Sequence, residues 1–274
     1  MTRLTPDLIE GVPDDTIALD SMLKKYTGMD MRSLALHAAG LPDDTDLTKL
    51  SASVVPITSG MGIISGFARS VDAILRRLGI RSHVTPATDV LGMTQALDTD
   101  DDLVFMADDS MFIAYNVRER KYITNFYGTA LGYATVLDKA SGGIRGRDAL
   151  VIGAGFVGSR AARILRDMGA NVCITDKICE KCGGVARDLG VKHSCDVEGS
   201  LSAHKYVLNA APAIFPGRLI AEGAVISAPG VPHYFDEEGR RKAACIIHDP
   251  LEIGVATMAA CSVAFYHDKE AVSR

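Results

Sequence analysis

The stretch ALVIGAGFVGSRAARILRDMGANVCITDK, residues 149–177, decides how the rest of the chain is read. A short apolar run, LVI, meets a glycine-spaced turn. A helical pattern with one apolar face follows, and a second apolar run, VCIT, stops at Asp176. Gly153-Ala-Gly155-Phe-Val-Gly158 fits G-x-G-x-x-G, a spacing that is common by itself. Here a strand precedes it, a helix follows it and an acid lies roughly twenty residues on, and together these predict a turn that cradles a dinucleotide. Gly153 permits the tight turn, Gly155 lets the backbone approach a pyrophosphate, and Gly158 allows helix and strand to pack closely. The helix start, with Phe156 and Val157, offers its N–H groups and positive dipole end to the diphosphate.

Asp176 bears on which dinucleotide. A carboxylate there accepts hydrogen bonds from ribose hydroxyls and repels a 2′-phosphate, so NAD is expected rather than NADP, although Lys177 softens that repulsion. Ligands in such sheets lie beyond the carboxyl ends of the strands. Those ends read NAAPAIFP (209–216), SAPGVP (227–232) and HDPLEIG (248–254), which places Ala211, Pro212, Pro229 and Gly230 beside the cofactor. His233 and His248 read as ordinary loop histidines.

Composition narrows the class. A formal charge of -5 and a pI near 5.8 argue against a nucleic-acid binder, and no apolar run reaches bilayer length. The polar N-terminus, MTRLTPDLIEGVPDD, has no signal-peptide core, so a soluble cytoplasmic protein is expected. The six cysteines are expected as free thiols. Cys179-x-x-Cys182, with His193 and Cys195 nearby, has the donors for zinc, but the spacing resembles no standard module. A solvated turn and helix is the preferred reading, and no metal is expected.

Along the chain, residues 5–26 read as a helix with Thr5 as N-cap, and residues 30–39 as a second. Residues 41–49 are turn-rich. Strands are expected at 54–57, 81–84, 103–107 and 112–116, with helices at 66–78 and 90–97. DTDDD, residues 98–102, reads as a solvated turn. A helix from residue 129 bridges to the strand at 148–152, and alternating strand and helix then continue to a terminal helix from about residue 255. This is an α/β chain ending in a Rossmann-type parallel, doubly wound sheet.

Two segments of the first half look too specific for scaffold: VPITSGMGIISGF (55–67) and VFMADDSMFIAYN (104–116). The Asp108-Asp109 pair suits a turn or helix cap and, at a sheet edge facing a cleft, equally a cationic substrate. PITSGMGIISGF, MADDSMFIAYN, RKYITN, VIGAGFVGS, SAPGVP and DPLEIGVATM together resemble the PylD family, the dehydrogenases that complete pyrrolysine biosynthesis. The likeness runs from LTPDLI at the N-terminus to the terminal helix.

The resemblance implies NAD-dependent oxidation of the terminal amine of 3-methyl-D-ornithyl-N6-L-lysine, with closure to the pyrroline ring of pyrrolysine. It makes residues 1–128 a helical and small α/β substrate-binding lobe, 129–146 a linking helix, and 147–274 the NAD-binding domain. Substrate contacts then fall on Leu4, Thr58, Ser59, Gly62, Ile63, Phe67, Asp108 and Asn125. The match is looser around Asn125, and the tract after Asp176 carries no family pattern. Asp108 is expected to hold or orient a substrate amine, and the loop 58–62 to receive a carboxylate through its N–H groups. A homodimer is expected.

Two other readings compete. Dehydrogenases of shikimate or methylenetetrahydrofolate type share the domain order, but the shikimate type uses a lysine–aspartate pair and no lysine accompanies Asp108. A nucleotide-sensing regulatory domain needs a DNA-binding segment or partner surface, and neither a basic helix nor a disordered tail is evident.

Overall fold

The run Ala149-Leu-Val-Ile152 shows how the second half is built. Ala149 and Val151 enter one apolar cluster and Leu150 and Ile152 another, so both faces of this strand are buried, as a central parallel strand requires. The computed structural model describes residues 12–231 and 234–265.

In chain order the elements begin with α1 (Val12–Thr27), α2 (Met31–Ala38), β1 (Ser51–Pro56), α3 (Phe67–Arg77), β2 (Arg81–Val84) and α4 (Asp89–Asp98). Then come β3 (Leu103–Ala107), β4 (Phe112–Asn116), β5 (Lys121–Thr124) and the long helix α5 (Asn125–Ala140). The second half has β6 (Asp148–Ile152), α6 (Phe156–Asp167), β7 (Asn171–Thr175), α7 (Cys179–Leu189), β8 (Lys192–Ser194), α8 (Val197–Ala203) and β9 (Tyr206–Asn209). It ends with β10 (Ile214–Phe215), β11 (Val225–Ser227), β12 (Tyr234–Phe235), α9 (Glu237–Lys242), β13 (Cys245–Ile247) and α10 (Glu252–Ala264).

The first sheet has the order β2-β1-β3-β4-β5. Its first three strands are parallel, and β4 and β5 extend it as an antiparallel edge. The second sheet, β13-β11-β9-β6-β7-β8, is wholly parallel, and β10 and β12 form a small separate pair. In the second sheet the chain runs outward from β6 to β8, then returns to the other side of β6 as β9. In the first it steps from β1 to β2 and returns beside β1 as β3. Each sheet therefore has a reversal of strand order, where a crevice opens beyond the carboxyl ends.

The expected α/β architecture is observed, with differences in detail. Thr5 and the start of the first expected helix lie outside the described residues. The second helix starts at Met31, with Asp30 accepting from Ser33 N–H at 2.9 Å as its N-cap. β5 was not foreseen, and α5 begins at Asn125, not at residue 129, because Thr124 caps it through Tyr127 N–H. DTDDD is a solvated turn only over residues 98–100, which are exposed, and not at its last two acids. Asp101 accepts from Ser53 Oγ and from Thr99 Oγ1 at 2.8 Å. Asp102 accepts from Ser51 N–H at 3.0 Å and pairs with Arg118 Nε at 3.0 Å. Both carboxylates are buried and anchor the start of β3 to β1.

The cysteines also divide. Cys173, Cys182, Cys245 and Cys261 are free, whereas Cys179 and Cys195 are joined, because the first turn of α7 and the loop after β8 bring their Cα atoms to 4.9 Å. No helix among the described residues is long and apolar enough to cross a membrane.

The centre of the molecule is a helix pair. α10 is buried from Glu252 to Val263 and packs on α5, α2 and α3. Asn116 of β4 donates its amide to Ser262 O at 2.9 Å, fixing the far end of α10 to the first sheet. Apolar on all sides, α10 has the composition of a core helix. Its contact with α5 depends on missing side chains. A Cβ on Gly132 would lie 2.6 Å from Thr257 Oγ1 and 2.7 Å from Ile253 Cγ2, and one on Gly128 2.5 Å from Met258 Cγ. Gly132→Ala must force these helices apart, and we expect a loss of about 1–3 kcal/mol. This would be read as a lower urea midpoint with an unchanged slope; an unchanged midpoint would show that the contact yields freely.

Candidate functional site

The two reversal points face each other across a cleft of about 440 Å³, a size suited to a small ligand. From the first sheet come the ends of β1 and β3, residues 54–57 and 105–109, with Gly62, Ile63, Ile64 and Phe67. From the second come Gly155, Phe156, Val157 and Gly158 with Ala210, Pro212, Pro229 and Gly230. The helix pair forms the floor through Asn125, Phe126, Thr129, Tyr133, Gly254, Val255 and Met258.

The glycine turn has the form the motif requires. Gly153 takes φ of +97°, which only glycine adopts readily, and a Cβ on Gly158 would lie 1.8 Å from Gly153 O. Nothing stands within 4 Å of where a Cβ on Gly155 would be, so the backbone faces open space there. No side chain caps the start of α6. The first-turn N–H groups and the open face at Gly155 therefore fit a diphosphate. Asp176 Oδ2 accepts from Ala154 N–H at 2.7 Å and Oδ1 from Ile178 N–H at 2.9 Å. Each oxygen keeps a second lone pair for a ribose hydroxyl. Asp176, Gly153 and Ala211 stand behind the cleft lining: Gly153 backs onto the backbone of Ala210 and Ala211, and a Cβ on Gly230 would meet Ala211 O at 2.3 Å.

The expected substrate residues separate into three groups. Gly62, Ile63, Phe67, Asp108 and Asn125 share the cleft. Thr58 and Ser59 are not part of its lining. Thr58 donates both its N–H, at 2.8 Å, and its hydroxyl, at 2.7 Å, to Asp89, so that N–H is committed within the fold. Met61 N–H is likewise held by Asp109 Oδ2 at 2.5 Å. Leu4 and His233 lie outside the described residues. His248 is not in the lining; its Nδ1 is 2.6 Å from Ala228 O. Asp108 Oδ1 accepts from Ser110 N–H at 2.7 Å and Met111 N–H at 2.8 Å, a turn that leaves the carboxylate exposed toward the cleft.

The lining charges are all of one sign. Asp108, Asp109 and Asp249 border the cleft, and among the described residues no lysine, arginine or histidine does. An otherwise apolar cavity with carboxylates alone favours a cation.

Sequence reading missed the buried polar cluster in this floor. Tyr133 OH donates to Asp249, with Oδ2 at 2.6 Å and the backbone O at 2.7 Å, and lies 2.9 Å from Asp249 N–H. Asp249 Oδ1 accepts from Leu251 N–H at 2.8 Å. Burial, with Asp249 beside it, pushes the Tyr133 phenol well above its ordinary value. Burial first, and the Asp249 charge second, raises the Glu252 carboxyl to about 9. The signal was present in DPLEIG: two acids inside a run the fold buries.

In the folded chain Glu252 keeps its proton up to about pH 9, whereas the unfolded chain releases it near 4.5. Between these values the native state binds more protons, so this residue's contribution to stability falls as pH rises from 4.5 to about 9 and is flat above. Glu252→Gln removes that titration. We expect the variant's Tm to depend less on pH between about 5 and about 8.5, and to exceed wild type by roughly 2–6 °C at the upper end. An unchanged pH slope would place the proton elsewhere.

Comparison with known proteins agrees with this geometry. Residues 9–123 match the family model described as pyrrolysine biosynthesis protein PylD, N-terminal domain, and residues 124–210 match the alanine dehydrogenase/PNT C-terminal domain. In structure the chain is similar to shikimate 5-dehydrogenase from Thermus thermophilus, solved with NADP(H) and shikimate, at TM-score 0.52 and 17% identity over 80% of this chain and 92% of that one. It is similar also to quinate dehydrogenase from Corynebacterium glutamicum, solved with NAD, at TM-score 0.52 and 13% identity over 82% and 96%. These likenesses establish the dehydrogenase-type fold. In sequence it is 29% identical to the pyrrolysine synthase of Methanosarcina barkeri over 94% of this chain and 97% of the relative. It is 30% identical to the pyrrolysine synthase of Methanosarcina acetivorans over 94% of this chain and 98% of that protein. With that identity along nearly the full length of both proteins, and the PylD signature on its first lobe, the chain belongs to the pyrrolysine synthase family of pyrrolysine biosynthesis.

Proposed function

We propose that this chain is an NAD-dependent amine dehydrogenase. It oxidises the terminal amine of 3-methyl-D-ornithyl-N6-L-lysine, and the product closes to the pyrroline ring of L-pyrrolysine with loss of ammonia. One observation supports this above others: a carboxylate-lined cleft, with no cationic side chain among the described residues that line it, which opens onto the glycine turn at Gly155–Gly158. A polyamine isopeptide matches that field. Shikimate-type chemistry needs a lysine beside its aspartate, and among the described residues none lines the cleft.

In this reading residues 1–128 form the substrate lobe, 129–146 the link and 147–274 the cofactor lobe of a cytoplasmic homodimer. NAD held along the turn would supply the hydride acceptor for the carbon bearing the reacting amine. Gly155, Phe156, Val157 and Gly158 hold the diphosphate, and Asp176 the ribose. Asp108 grips a substrate ammonium, while Phe67 and Ile63 cover the aliphatic chain and exclude water. A reacting amine must be neutral to release hydride. Its ordinary pKa is near 10.4, which desolvation lowers and a neighbouring carboxylate raises, so Asp108 serves as anchor rather than base. Fixing the reacting carbon over the nicotinamide is the chief contribution of the cleft. The resulting imine is attacked by the ornithine α-amine, ammonia leaves, and the five-membered ring forms within one molecule.

The test is turnover of the isopeptide with NAD or NADP, followed by NADH absorbance and by the mass of the cyclised product; no turnover with either nucleotide would refute the reading. Asp108→Asn keeps the oxygen that accepts from Ser110 and Met111 and removes only the charge. We expect KM to rise roughly 10- to 100-fold with kcat little changed. A pH–rate profile that loses its basic limb at unchanged KM would make Asp108 the base instead.

A further inference from the structure

The first turn of α7 and the end of β8 bring together donors that the fold of the cofactor lobe does not need. Cys179 Sγ, Cys195 Sγ and a ring nitrogen of His193 lie within 4.8 Å of one another. Cys182, one helical turn after Cys179 and on the same face, points its thiol between the two arms: its Sγ lies 3.0 Å from Cys179 O and 3.6 Å from Ser194 O. Three zinc-type donors thus converge from two short segments, with the buried Cys182 thiol one helical turn away as a fourth, although their spacing matches no familiar module.

The arms are held in place independently of any ion. Ser194 O accepts from Thr175 Oγ1 at 2.8 Å, which fixes β8 to β7 between His193 and Cys195. Asp196, next to Cys195, caps α8 by accepting from Gly199 N–H at 2.9 Å. The His193 ring lies against a bare patch of α7, where a Cβ on Gly183 would come to 3.5 Å from Nε2. His193 and Cys195 are exposed, so an ion has access from solvent.

We propose that the reduced chain binds one zinc ion through the Cys179, Cys182 and Cys195 thiolates and the His193 imidazole. In the structure Cys179 and Cys195 are joined as a disulfide. An external thiol reductant supplies two electrons and two protons to part that bond and is itself oxidised to a disulfide. Zinc then displaces three thiol protons to solvent as three Zn–S bonds form. At a Zn–S length of about 2.3 Å, tetrahedral ligands stand roughly 3.8 Å apart. The Cys179 and Cys195 sulfurs must therefore separate, and the Cys182 thiol must turn from Cys179 O and Ser194 O toward them. Thiolate and imidazole donors select zinc over the hard cations magnesium and calcium. The site clamps the start of α7 to β8, directly after the loop in which Asp176 holds Ile178 N–H.

The full chain is reduced with dithiothreitol, desalted, incubated with zinc chloride or cobalt chloride, and dialysed. Elemental analysis should give about one zinc per chain, and cobalt should produce thiolate-to-metal charge-transfer absorption. Cys195→Ser and His193→Ala, both at the surface, should lower retained metal at least tenfold at matched far-UV dichroism. Alkylation of the native zinc form should leave Cys179, Cys182 and Cys195 unmodified. Failure of the reduced wild-type chain to retain zinc, or retention of the full amount by Cys195→Ser, would overturn the site. So would a Cys179–Cys195 disulfide that survives the reductant.

Discussion

The closeness of α5 and α10 is the constraint on which the molecule depends. Their backbones meet at Gly128, Gly132 and Gly254, positions where a side chain would strike the opposite helix. One apolar cluster passes through this contact, from Leu19 and Met31 in the first lobe to Val151 and Ile174 beneath the second sheet. Because α5 is also the covalent path between lobes, helix spacing sets how far apart the two sheet reversals stand. That distance is the width of the cleft.

The same contact brings polar groups into the cleft floor. Tyr133 rides on α5 next to Gly132, and Asp249 and Glu252 lie at the start of α10. They are hydrogen-bonded to one another and to local backbone, as buried polar groups must be. Two acids in one apolar pocket cannot both ionise cheaply, and Glu252 is the one that keeps its proton. With Glu252 protonated, the acids bordering the cleft are Asp249 on the floor and Asp108 and Asp109 on the wall.

Much of this was legible beforehand, for identifiable reasons. The second sheet follows from apolar runs broken by glycine, and the turn at Gly153–Gly158 from glycines whose absent Cβ atoms the backbone itself requires. What sequence missed depends on distant partners. Asp101 and Asp102 look like solvent-facing acids until Ser53, Thr99 and Arg118 are seen to meet them. β5 is a four-residue edge strand that gains its identity only by pairing with β4. Thr58 reads as a loop hydroxyl ready for ligand, yet Asp89, thirty-one residues away and at φ of +54°, holds it. The Ser53–Asp101 and Thr58–Asp89 pairings cross long stretches of chain, and no local pattern announces them.

The position of α10 has a consequence for how the protein is made. It leaves the ribosome after every other described element, yet it fills the groove among α2, α3, α5 and β4. The first lobe therefore emerges with its apolar groove uncovered and stays so through synthesis of the whole second sheet. Its native core closes only after translation has passed residue 264. During that interval the nascent chain exposes apolar surface of the kind that makes incomplete chains aggregation-prone and that chaperones bind.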